Sequence, residues 1–153
     1  MTILSPPVRL LARFSLVGFA VVVVLGTVRA APTPLRAWLA AVPEAERAMA
    51  SFHAHFDVLC WPGAAALALA LHLLGGAPGS PWAPRAAAGG YVAGSLLFSG
   101  GYAVKALGLA AGLPLLARGV AVAMISGGGL LLIGAAAAAG LLLLTSRGEP
   151  DLP

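Results

Sequence analysis

The stretch GVAVAMISGGGLLLIGAAAAAGLLLLTS, from Gly119 to Ser146, runs for 28 residues without a charge. A helix crossing the hydrocarbon core of a bilayer needs about 20 apolar residues, so this stretch is long enough to span. Two more, Val58–Pro84 and Ala86–Val104, meet the same criterion. A fourth, Phe14–Val28, has 15 residues. It reaches across once Arg13 and Arg29 extend their head groups to the membrane surface. The 153-residue chain is 60% hydrophobic and 9% charged, against about 25% charged in a soluble domain. The expected fold is therefore all-α. It is one integral membrane domain, a four-transmembrane-helix bundle, with spans near residues 10–28, 52–74, 84–106 and 117–145.

The connections carry their own signals. Thr33-Pro34 reads as an N-cap with proline at the first helical position. Leu35, Trp38, Leu39 and Val42 follow at helical spacing, with Arg36 off that stripe. This predicts a short interfacial helix between spans one and two, with Trp38 at headgroup depth and Pro43 ending it. Glu44, Glu46 and Arg47 then begin a helix that runs into span two. Pro62 lies inside that span and is expected to kink it. Gly75–Pro81 and Gly112-Leu113-Pro114 read as turns, and a polar tail follows Thr145. Gly127-Gly128-Gly129, Gly134 and Gly140 allow close helix approach in span four and make a homo-oligomer accessible.

Charge narrows the function classes. The net charge is +4, but the nine basic residues are scattered and form no patch for nucleic acid. They flank the spans instead, and the bilayer is the expected partner. With both termini on one side, Arg9, Arg13, Arg85 and Arg147 face Arg29, Arg36, Arg47, Lys105 and Arg118 across the membrane, so the basic count sets no orientation. The single cysteine, Cys60, excludes an intrachain disulfide. Arg9 and Arg13, the run Phe14–Val28 and Val28-Arg29-Ala30 also have the layout of a signal peptide. The length of that run and the three spans after it favour a retained helix.

The run Phe52-His53-Ala54-His55-Phe56-Asp57 places two of three histidines and one of five acids where water gives way to lipid. Ionisable groups are costly there and mark candidate sites. His53 and Asp57, four apart, share a helix face, so Asp57 is expected to accept the ring N–H of His53. His55 points about 200° away from His53. One histidine is expected to face the bundle and the other the interface or a neighbouring subunit. A compact metal cluster is not expected, since zinc needs three or four ligands. His72 stands roughly 25 Å from His55 along the helix. In span three, Tyr91, Ser95, Ser99 and Tyr102 fall within about 80° of one another and should face the bundle interior. Tyr102 is expected level with the histidines, and Tyr91 nearer His72.

Some of these runs resemble known families. Gly94-Ser95-Leu96-Leu97-Phe98-Ser99-Gly100-Gly101-Tyr102 resembles the LFSG-x-Y signature of a small four-helix membrane family that includes bacterial YgdD. The glycine-rich run Gly127 to Ala135 and the order of elements over Gly18–Arg147 are also similar. That family has a histidine near the start of span two and no assigned biochemical role. Its first-span GAFGAH signature stands here as Leu25-Gly26-Thr27-Val28-Arg29-Ala30, without the histidine. The resemblance implies a bacterial inner-membrane protein. Arg47-Ala48 through His55, followed by an apolar helix, is similar to styrene oxide isomerase. That enzyme holds haem b with a span-two histidine and carries a catalytic tyrosine on span three. Tyr102 follows His55 by 47 residues. His53-Ala54-His55-Phe56-Asp57-Val58-Leu59-Cys60-Trp61 resembles the HAH-x-N-x-L-x-W run of small proteins related to haem–copper oxidase subunits.

Three functions are therefore expected as alternatives. The first is a YgdD-like membrane protein whose histidines serve as interfacial anchors. The second is a haem-b protein with His55 or His53 as axial ligand. Its enzymatic version is an epoxide isomerase, with Tyr102 or Asp57 orienting the substrate or stabilising charge. The third is a proton or small-solute path through Asp57 and the tyrosine–serine stripe.

Overall fold

The computed structural model describes residues 4–74 and 82–146. The expected Gly75–Pro81 turn, Arg147 and the polar tail lie outside the described residues. All elements among the described residues are helical. They are α1 (Pro6–Ala30), α2 (Pro34–Ala40), α3 (Pro43–Val58), a π-helical turn (Leu59–Gly63), α4 (Ala64–Leu74), α5 (Ala83–Ala110) and α6 (Pro114–Ser146).

Prolines mark the helix starts. Pro6, Pro34, Pro43 and Pro114 occupy the first position of α1, α2, α3 and α6, and Pro84 the second of α5. A proline there loses no hydrogen bond, because that N–H would have no helical partner anyway. The Thr33 side chain caps α2 by accepting from the Arg36 backbone N–H at 3.2 Å. Pro43 thus opens α3, while α2 has already stopped at Ala40. At the far end of α5, Gly112 adopts φ +76°. The N–H groups of Gly112 and Leu113 return to the carbonyls of Leu109 and Gly108 at 3.1 and 2.8 Å. This pair of bonds closes a helix on a left-handed glycine, and Pro114 starts the next one.

Four helices are long and apolar enough to cross a membrane: Pro6–Ala30, Pro43–Leu74, Ala83–Ala110 and Pro114–Thr145. The expected four-span bundle with its short interfacial helix is what the chain forms. Each helix extends beyond its expected span. The second and fourth, at 32 residues each, are roughly 48 Å long at 1.5 Å per residue. Their ends stand outside a hydrocarbon core of about 30 Å. Leu16, Leu115 and Leu130 are 71%, 86% and 71% exposed, a surface suited to lipid.

The interior is built from small residues. The most extensive helix pair is α5 with α6. A Cβ placed on Gly94 would lie 2.9 Å from the Gly128 carbonyl oxygen, and one on Gly128 would collide with the backbone nitrogen of Phe98. Lipid gives helices no hydrophobic reason to associate, so backbone proximity supplies the attraction. At one end Glu44 binds Lys105 at 3.2 Å and Arg118 at 2.7 Å, joining α3 to α5 and α6.

Pro62 acts through the π-helical turn: with no N–H it cannot pair the Val58 carbonyl, and the backbone widens over Leu59–Gly63. Carbonyls around the distorted turn take side-chain donors. Tyr91 Oη donates to the Leu59 carbonyl and Ser15 Oγ to the Trp61 carbonyl, both at 3.0 Å. The middle of span two is thereby tied to α1 and α5.

Candidate functional site

The last turns of α3 present two faces with opposite character. On one face lies a cavity of about 400 Å³ between α1, α2, α3 and α5. Its apolar walls include Leu25, Val28, Leu35, Leu39, Met49 and Phe52. Ala103 and Leu107 of α5 close it, and His53, Arg29, Arg36 and Glu46 supply the polar groups. The Nδ1 atom of His53 is buried and has no hydrogen-bond partner. An unpaired buried nitrogen is costly, and such groups concentrate where a ligand completes them. The cavity is within the size range of small-molecule sites, roughly 300–1,000 Å³.

On the other face the ring N–H of His55 has a partner. Its Nδ1–H donates to the Ser51 carbonyl oxygen at 2.7 Å. A carbonyl can only accept, so the neutral ring carries its proton on Nδ1 and its lone pair on Nε2. The ring stacks on Tyr102 with centroids 4.9 Å apart and planes 3° from parallel. Phe98 meets it edge-on at 5.2 Å. His55 thus packs directly on α5, while His53 looks toward it across the cavity.

The expected His53–Asp57 pair does not form, since His53 Nδ1 has no partner. Asp57 is half-buried and joins no hydrogen bond or ion pair among the described residues. Spacing places the two on one face, but Asp57 lies a turn deeper and outside the cavity lining. Tyr102 is level with the histidines, as its position on α5 implied, but it belongs to His55 and not to the cavity. Tyr91 donates to the Leu59 carbonyl at the π-helical turn, on the His72 side of the histidine pair. Ser95 and Ser99 are fully buried, so the tyrosine–serine stripe does face inward.

Arg29, Arg36 and Glu46 were not among the candidate residues. Arg29 and Arg36 have the sequence look of membrane-surface flanks. The signal that could have found the two arginines is their position on either side of the short Ala31–Thr33 link, which keeps the end of α1 near the start of α2. No family model, curated protein or solved structure matches the chain.

Proposed function

We propose that this is an integral protein of the bacterial inner membrane, of the small YgdD-like four-helix kind, whose cavity binds haem b with His53 as axial ligand. The observation that carries the reading is an unpartnered Nδ1 on His53, a residue of the apolar cavity wall, whereas His55 is packed against Phe98 and Tyr102 away from that wall. An axial histidine needs a ring nitrogen free to bind iron and an apolar surround that excludes water. The residues present fit that group. Arg29 and Arg36 would face its two carboxylates, and the apolar walls would take the macrocycle. Bound there, haem would supply an iron centre for electron transfer or for Lewis-acid chemistry. The isomerase version draws less support, because Tyr102 is stacked on His55 instead of lining the cavity.

The test is a visible spectrum of the protein purified in detergent after expression with added haem. A Soret band lost in His53→Ala and kept in His55→Ala is expected. A colourless wild-type protein, or a band that survives His53→Ala, overturns the proposal.

A further inference from the structure

The polar groups of the cavity are arranged by depth. Arg29 ends α1, Arg36 lies in the interfacial helix α2, and Glu46 stands in the first turns of α3. His53 is seven residues further along α3, roughly 10 Å deeper. The site is thus charged at the membrane surface and apolar below, with one imidazole inside. Among the described residues neither arginine has a carboxylate partner. Arg36 donates only to the Ala30 carbonyl at 3.3 Å. Glu46 lines the same cavity and forms no ion pair, so the rim carries one negative group against two positive ones. In contrast, Lys105 and Arg118 are both paired with Glu44. Arg29 and Arg36 are the two guanidinium groups that line the cavity.

From this we infer that the cavity selects amphipathic carboxylates, with Arg29 and Arg36 as the clamp that holds the acid group at the membrane surface. A guanidinium pairs a carboxylate through two parallel hydrogen bonds. The apolar body of the ligand then lies along Leu25, Leu39 and Phe52. The inference rests on the cavity being the ligand site, as proposed above, and not on iron. The shared chemistry is met by the carboxylates of a porphyrin and by that of a fatty acid from the bilayer.

The experiment uses the full chain in nanodiscs and follows quenching of tryptophan fluorescence. The probes are iron-free protoporphyrin IX, its dimethyl ester, oleate and methyl oleate. Wild-type protein should bind at least one acid about tenfold more tightly than its ester, the effect of one charge-assisted pair. The double variant Arg29→Gln/Arg36→Gln should lose that preference while keeping its affinity for the ester, which also shows that it is folded. Arg47→Gln removes an equal charge from α3 away from the cavity and should change nothing. A preference seen only with the porphyrin assigns that source, and one seen only with oleate assigns the lipid source. Equal binding of acid and ester, or a preference that survives the double variant, overturns the inference. His53→Ala separates the two proposals. It should abolish the Soret band and leave the acid-over-ester preference in place, so a failure of iron ligation does not remove the clamp.

Discussion

The two faces of the last turns of α3 differ in what their histidines lack. His55 has a carbonyl for its N–H, an aromatic plate on its ring face and a second ring at its edge. His53, two residues earlier, has an unpartnered nitrogen and lines an apolar cavity. The same residue type on the same helix is structural in one direction and receptive in the other. A histidine at a membrane boundary is therefore not a site by its position; what stands opposite it decides.

The contrast yields four tests, of which the first has the largest effect. His53→Ala should weaken haem binding at least about 100-fold, and His55→Ala should weaken it far less, as read by Soret titration. The reverse ranking would make His55 the receptive residue. Filling the cavity comes next. A Cβ on Gly26 would lie 3.9 Å from His53 Cε1, an ordinary contact, so Gly26→Ala should bind normally. Gly26→Leu should reach into the cavity and cost about tenfold in affinity without unfolding the bundle. On the satisfied face, Tyr102→Ala should cost stability instead of binding. Loss of the two ring contacts predicts about 1–2 kcal/mol in a mixed-micelle unfolding titration, with ligand affinity unchanged. A fall in affinity there would mean that the faces communicate. The smallest effect belongs to Tyr91→Phe. It removes the bond to the Leu59 carbonyl and should cost about 0.6 kcal/mol in the same titration.

Much of the fold was legible because lipid imposes strict rules on sequence. The uncharged runs gave the four spans, Thr33-Pro34 gave the start of α2, and Gly112-Leu113-Pro114 gave the turn into α6. The start of α1 was placed too late because Arg9 sits on helix that continues past the hydrocarbon, whereas the charged start of α3 at Glu44 was legible. The site was legible only on one side. The helical repeat separated His53 from His55, but periodicity ranks residues by face and says nothing about the opposing wall. That wall comes from α1, α2 and α5, which are distant in sequence from α3. Hence Asp57 looked like the partner of His53, and Arg29 and Arg36 looked like flanks.

The π-helical turn has a consequence for the rest of span two. It inserts extra backbone into the helix and so acts as an angular gear between α3 and α4. Removing one residue within Leu59–Gly63 and restoring ordinary helix would rotate α3 by about 100° relative to α4. Ser15 and Tyr91 hold the turn against that rotation through the carbonyls they occupy. The direction in which His53 points is thereby set by a proline nine residues further along the chain.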